Sequence, residues 1–295
     1  GAGNPARVIP RLAIIGLGLI GGSFARALRA AGEVGTISGY DHDAQQLDTA
    51  LNLGVIDHAA ASAAEAVADA AVVLIAVPVL HIAASLDECL GALRADAIIT
   101  DVGSTKGSVL RDIAARCGEV PARFVAAHPI AGTEKSGVAH ATVDLFRGKR
   151  LVITPHPGQD PKSVEVVAGL WRAVGARVVE MTAEGHDDIF AATSHLPHVL
   201  AYAFVDMLSR HPDAAEIFPN AGGGFRDFTR IASSKPELWH DIVQANAPAV
   251  LHLLREQITL LEHLHGLMAA GDWPQVLQHF ERARAAREQH LSLIE

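Results

Sequence analysis

The 295-residue chain is 49% apolar and only 19% charged, and its 33 acidic residues outnumber its 24 basic ones for a net charge of −9. That balance excludes nucleic acid and an anionic membrane surface as main partners, while the length suffices for two domains with a well-buried core. Two cysteines, Cys89 and Cys117, lack metal or redox spacing, and no signal peptide or membrane-length apolar run is present, so a reducing cytoplasm is the expected location.

In chain order, residues 12–15 form an apolar run with the length and composition of a buried strand. It leads into Gly16-Leu17-Gly18-Leu19-Ile20-Gly21 and then an alanine-rich helical stretch, 23–31. Each glycine has a separate role: Gly16 makes the tight turn, Gly18 admits a pyrophosphate to the backbone, and Gly21 lets helix and strand pack closely. The helix start, including Leu19 and Ile20, offers free N–H groups and a partial positive charge to phosphates. A second strand, 35–41, ends in Asp41, about 20 residues after the glycines, where a carboxylate accepts both ribose hydroxyls and repels a 2′-phosphate. These residues point to NAD rather than NADP. The competing reading is that Asp41 only caps the next helix.

Helices are expected at 44–53, after the capping box Ser62-Ala63-Ala64-Glu65, and at 81–93 and 108–117. Strands are expected at 71–78, 97–102 and 123–127. This alternation predicts an α/β fold of Rossmann type, a doubly wound parallel sheet. Val77 and Pro78 fall in the loop after an apolar strand, at the carboxyl edge where such sheets bind ligands. His128 follows the strand at 123–127 at the same edge. It is placed to act as a general base near neutral pH, or else it simply anchors its loop. Strands at 149–155 and 176–181, with a helix 162–174 between them, are expected to extend the sheet.

From about residue 184 only helices are read. One spans 189–208, with a kink where Pro197 frees the carbonyl of Thr193. Ser234-Lys235-Pro236-Glu237 reads as a capping box, and Asp272 as the N-cap of the last helix. Residues 250–268 are apolar on too many sides for one stripe, so that helix is covered twice, by its own domain or by another subunit. Sixteen histidines raise the question of metal. The close pairs, His195 with His198 and His263 with His265, complete no ligand set, and no metal site is expected.

Four stretches carry a resemblance. His128-Pro129-Ile130-Ala131-Gly132-Thr133-Glu134-Lys135-Ser136-Gly137 is similar to the signature of prephenate dehydrogenases, whose wider family includes arogenate and cyclohexadienyl dehydrogenases. Agreeing with it, in the family's order, are Asp101 to Gly107 (DVGSTKG), Ser194 to His198 (SHLPH) and Gly222 to Ala232 (GGGFRDFTRIA). The resemblance implies NAD-dependent oxidative decarboxylation of prephenate, or of arogenate, in tyrosine biosynthesis. In that scheme His128 takes the ring hydroxyl proton, and Ser104 orients the hydroxyl or His128. Arg230 binds a substrate carboxylate, His198 meets the side chain, His195 holds the pocket, and Thr133 and Gly223 close it. It also implies a dinucleotide-binding domain, 1–182, and an all-helical substrate-binding domain, 183–295, that joins a homodimer. The alternatives are another NAD-dependent dehydrogenase of the β-hydroxyacid type and a non-catalytic NAD-binding module.

Overall fold

In the computed structural model, which describes residues 8–294, the glycine-rich turn joins β1 (Ile9–Ile15) to α1 (Leu19–Ala30). β1 is central, pairing in parallel with β2 (Val34–Tyr40) on one side and with a strand at Val72–Ile75 on the other. With β3 (His58–Ala59), β4 (Val72–Ile75), β5 (Ile98–Asp101) and β6 (Phe124–Val125), the sheet runs β3-β2-β1-β4-β5-β6, all parallel. The strand order reverses between β1 and β4, which opens a crevice at their carboxyl ends.

Alternate residues of these apolar strands serve opposite faces. Ile14 and Leu74 pack with Phe24, Leu28 and Trp171; Ala13, Ile15, Val73 and Ile75 pack with Leu86 and Ile113. The covering helices are α1, α2 (Ala44–Asn52), α3 (Ala63–Val67), α4 (Ile82–Leu90), α5 (Gly107–Cys117) and α6 (Pro161–Ala173). Side-chain caps set several of their starts. Asp43 accepts from Gln45 N–H at 2.9 Å to open α2, and Ser62 Oγ accepts from Glu65 N–H at 3.1 Å to open α3. Glu65 reaches back to the N–H of Ala61 at 2.9 Å, one residue beyond a strict capping box.

The stretch 123–127 is not one strand, and the later strands do not extend the first sheet. After β6 the chain bends at Ala126, and β7 (Ala127–Pro129) joins β8 (Arg150–Ile153) and β9 (Arg177–Glu180) in a second, three-stranded sheet. β7 runs antiparallel to β8, with His128 opposite Val152, and β8 is parallel to β9. The bend has a tertiary cause: the N–H of Ala127 donates to Asp101 Oδ1 at 3.0 Å, and the carbonyl of Ala126 accepts from Thr154 N–H at 3.0 Å. The backbone groups that would have continued β6 are thus satisfied elsewhere.

α7 (Ala183–Phe190) and α8 (Leu196–Ser209) are joined by a π-helical turn, Ala191–His195, so the helix expected at 189–208 changes its winding just before Pro197. After α9 (Ala214–Ile217) and α10 (Gly223–Thr229), α11 (Pro236–Ala245) begins one residue later than the capping box suggested. Pro236 holds Lys235 extended, at φ −60° and ψ 115°, so Lys235 is the N-cap. Ser234 instead offers its carbonyl to Tyr202 Oη at 2.8 Å.

The chain forms two compact units, the first ending at Ala247 and the second beginning at Pro248. The second consists of α12 (Ala247–Ala269) and α13 (Trp273–His290), the latter capped by Asp272. Of their side chains only Val250 and Val276 are buried, while Leu251, Leu260, Leu261, Met268, Trp273, Leu277 and Phe280 are exposed. No helix among the described residues is long and apolar enough to cross a membrane.

A buried ion pair ties the two sheets of the first unit together. Lys106 Nζ donates to Asp101 Oδ2 at 2.5 Å and to the carbonyl of Ala127 at 2.6 Å, and both side chains are fully buried. Together Lys106 and Asp101 grip the N–H and the C=O of Ala127, the residue before His128. Burial pushes the Lys106 ammonium below its ordinary pKa, and the Asp101 carboxylate opposes that shift. Lys106→Met would leave a buried carboxylate without its cation, so denaturant unfolding should report a loss of about 3–5 kcal/mol. A loss under about 1 kcal/mol would show that water compensates Asp101.

Candidate active site

Gly16, at φ 98°, turns the chain out of β1, and a Cβ there would lie 2.5 Å from the carbonyl oxygen of Ala76. At Gly21 a Cβ would run into the carbonyl of Gly16. Gly18 differs: a Cβ there meets nothing within 4 Å, so the fold itself does not demand glycine. What a side chain would block is approach from outside, at the N-terminus of α1. That terminus has no side-chain cap and no acidic residue in its first turn, which includes Leu19 and Ile20. Free N–H groups, a first turn without acidic side chains and open space suit a pyrophosphate.

Asp41 stands just beyond β2 and does not cap α2, a role taken by Asp43. Its Oδ2 accepts from Leu17 N–H at 2.7 Å and its Oδ1 from Asp43 N–H at 2.8 Å. The carboxylate therefore braces the glycine turn from the position where a ribose would lie. Val77 and Pro78, both half-buried, follow β4 on the other side of the crevice. These residues fit a dinucleotide.

His128 sits in β7, half-buried, and its Nδ1 lies 2.7 Å from His186 Nε2. His186 Nδ1 is in turn 2.8 Å from Asp187 Oδ1. Asp187 also accepts from the N–H groups of Lys106, at 2.8 Å, and Gly107, at 2.9 Å, buried donors at the start of α5 that lack an intrahelical partner. Phe190 packs against both rings, 5.1 Å from His128 and 4.6 Å from His186 between centroids. Burial pushes His128 well below its ordinary pKa, and the neighbouring His186 and Lys106 add to the shift. Burial would raise the Asp187 carboxyl, but its hydrogen bonds from His186, Lys106 and Gly107 win and hold it low.

Asn246, at the end of α11, links this cluster to His195. Its Nδ2 donates to the carbonyl of Asp187 at 2.9 Å and lies 3.1 Å from His195 Nδ1. Since Nδ2 only donates, His195 Nδ1 is an acceptor and its proton resides on Nε2. His195 is fully buried, and burial lowers its pKa to about 4, so it is a neutral donor at physiological pH. Its Nε2 finds no sound hydrogen bond among the described residues. His198 stacks flat on Trp239, with centroids 3.3 Å apart at 9°. Its Nδ1 donates to the carbonyl of Ser194 at 2.8 Å, in the stretch where Pro197 removes a backbone donor, and burial lowers its pKa. A cavity of about 520 Å³ adjoins this stack, lined by His198, Tyr202, Trp239 and Val243 among others.

The other expected residues lie nearer the surface. Arg230, just past α10, donates through Nη1 to Glu134 Oε2 at 3.0 Å, with the two side chains 59% and 39% exposed. Thr133 Oγ1 accepts from Lys135 N–H at 3.0 Å, and Gly223 is the exposed first residue of α10. Ser104, in the loop after β5, is half-buried, and its carbonyl faces His195 and favours the protonated ring. Sequence reasoning gave no role to His186, Asp187, Glu134, Trp239, Asn246 or Lys106. The adjacent His186 and Asp187 carried the one available signal, a paired base and acid at a helix start. Their partners are 58 to 81 residues away, so the pairing is invisible in one dimension.

Residues 24–180 match the family described as "Prephenate dehydrogenase, nucleotide-binding domain", and residues 182–282 match "Prephenate dehydrogenase, dimerization domain". The chain is 37% identical over 283 residues to a cyclohexadienyl dehydrogenase of Zymomonas mobilis, covering 95% of this chain and 96% of that one. It is 36% identical over 277 residues to a prephenate dehydrogenase of Bacillus subtilis, covering 93% of this chain and 74% of the relative. Among solved structures, prephenate dehydrogenase from Aquifex aeolicus, in complex with hydroxyphenyl propionate and NAD+, superposes with a TM-score of 0.87 at 35% identity. That match covers 95% of this chain and 98% of the other.

Proposed function

The chain belongs to the prephenate dehydrogenase family, and on that premise we propose that the cluster around His128 carries out the oxidative decarboxylation of prephenate. NAD is the cofactor, held by the Gly16–Gly21 turn, Asp41, Val77 and Pro78, and when bound it supplies a two-electron acceptor. The observation that carries the reading is His128 itself. It is a buried-edge imidazole held through Nδ1 by His186, with Nε2 free of hydrogen bonds among the described residues.

In the reaction His128 Nε2 takes the proton of the ring hydroxyl as that ring carbon is oxidised. The carbonyl so formed is conjugated with the ring diene and draws in the electron pair of the bond to the ring carboxylate, which leaves as CO2. Aromatisation makes the step effectively irreversible. Ser104 orients the hydroxyl, and neutral His195 donates from Nε2 to a polar atom in the pocket. His198, fixed by Trp239 and Ser194, meets the side chain, and Thr133 and the turn at Gly223 close the site.

Arg230 binds a substrate carboxylate. Its present partner, Glu134, forms an exposed ion pair of a kind that contributes about 0–1 kcal/mol, so a substrate carboxylate can replace it at little cost. Residues 1–182 are taken as the cofactor-binding portion and residues 183–295 as the substrate-binding and dimer-forming portion. The match of 182–282 to a dimerization domain and the exposed apolar residues of α12 and α13 support a homodimer through this helical portion. Two unpaired cysteines suit the cytoplasm.

Incubation with NAD and prephenate should give reduced cofactor and CO2 together, and a parallel arm with arogenate ranks the two substrates. No turnover of either would overturn the reading. His128→Asn should keep cofactor and substrate binding but lose about 100- to 10,000-fold in kcat; a variant retaining most of its kcat would remove His128 as the base. Arg230→Ala gives up a charge-assisted contact of about 1.5–3 kcal/mol, so KM for prephenate should rise roughly 10- to 150-fold with a smaller change in kcat. Arg230→Lys should recover only part, since an ammonium lacks the guanidinium fork. Asp41→Ala should narrow the preference for NAD over NADP in kcat/KM, and an unchanged ratio would count against its ribose contact.

A further inference from the structure

We infer that His186 and Asp187 are positioning residues behind His128, which fix its tautomer and receive its Nδ1 proton when Nε2 is protonated. The inference rests on the reading of His128 as the base. The order of donors and acceptors is set from the Asp187 end. Asp187 accepts two backbone N–H groups at the start of α5, so it is ionised and can only accept. His186 Nδ1, 2.8 Å from Asp187 Oδ1, therefore carries a proton. Burial keeps the His186 ring neutral, which leaves a lone pair on its Nε2. That lone pair faces His128 Nδ1 at 2.7 Å. Two lone pairs at that separation would repel, so His128 Nδ1 holds the proton and its Nε2 holds the free pair.

Other charged groups around the pair do not alter this order. Lys106 and Asp101 neutralise each other across a buried contact. His195 is neutral and held by Asn246. Lys106 opposes a proton on either ring, and the Asp187 carboxylate, hydrogen-bonded to His186, favours one there; a single carboxylate can balance one added proton, not two.

The proton transfer is then explicit. The substrate O–H bond breaks and a bond from that hydrogen to His128 Nε2 forms. The His128 Nδ1–H bond breaks and the proton moves to His186 Nε2. His128 becomes neutral again as its other tautomer, and the positive charge rests on His186 beside Asp187. The charge created by the chemistry is moved one ring deeper, onto a carboxylate already placed to receive it. Removing the orienting partner of a catalytic imidazole in other enzymes acts through the wrong tautomer in the same way.

The test uses the protein without added ligand, labelled with 15N in its histidine rings, alongside steady-state kinetics. The His128 signals, identified by their loss in His128→Asn, should report the Nδ1–H tautomer. His186→Leu removes the acceptor, so His128 should shift toward Nε2–H and kcat should fall by about 10- to 100-fold. KM for prephenate should stay within about threefold, because no substrate contact is removed. His186→Gln restores an acceptor that cannot take a proton, so it should recover the tautomer and lie between Leu and wild type in kcat. A wild-type Nε2–H signal would overturn the inference. So would a Leu variant within about threefold of wild-type kcat, or equal losses in Leu and Gln with the tautomer unchanged in both. If wild type fails to oxidise prephenate, the activity reading falls while the nitrogen signals still decide the tautomer.

Discussion

The Asp187 carboxylate is the interaction on which the rest of the site depends. It satisfies two backbone donors at the start of α5 and holds His186 with the same oxygen that accepts from Lys106. A carboxylate at a helix N-terminus is favoured by the aligned peptide dipoles, which offsets the cost of burying it. Its own backbone carbonyl, through Asn246, sets the orientation of His195. One residue on α7 thus orders two buried imidazoles, His186 through its side chain and His195 through its main chain.

A second constraint lies one layer below. Asp101, at the end of β5, and Lys106, five residues on, grip both polar groups of Ala127's backbone. This buried pair ends the parallel sheet and starts the mixed one, and it fixes the residue that precedes His128. Removing charges from water is expensive, and here the cost is met by nearly complete hydrogen bonding, since Asp101 also accepts from Gly103 N–H at 3.0 Å. The loop that carries Ser104 is tied at the same points, so His128 and the loop share one foundation.

The two ends of the cluster differ in burial. Around His128 and His195 one ring nitrogen of each is held, by His186 and by Asn246, and the rings are packed by Phe190 and Trp239. Around Arg230 the partners are exposed and the ion pair is screened by water. The buried hydrogen bonds fix the rings in one arrangement, whereas an exposed guanidinium can exchange one partner for another.

The sequence alone determined the parallel α/β layer, because apolar strands, glycine spacing and caps such as Asp43 and Ser62 are local signals. It also determined the family, because four contiguous motifs survive in order, and it singled out His128, Asp41 and Arg230 as candidates. Tertiary structure decided the rest. The split at Ala126 depended on Asp101 competing for a backbone N–H from 26 residues away, which no window of local pattern contains. The start of α11 moved from Ser234 to Lys235 because Pro236 constrains its neighbour, a signal present in the sequence but outweighed there by the capping pattern. His186, Asp187 and Asn246 gained their roles only when the fold brought α7 and α11 against β7 and the start of α5. Hydrogen bonds depend on proximity and direction, and those exist only after the chain has closed.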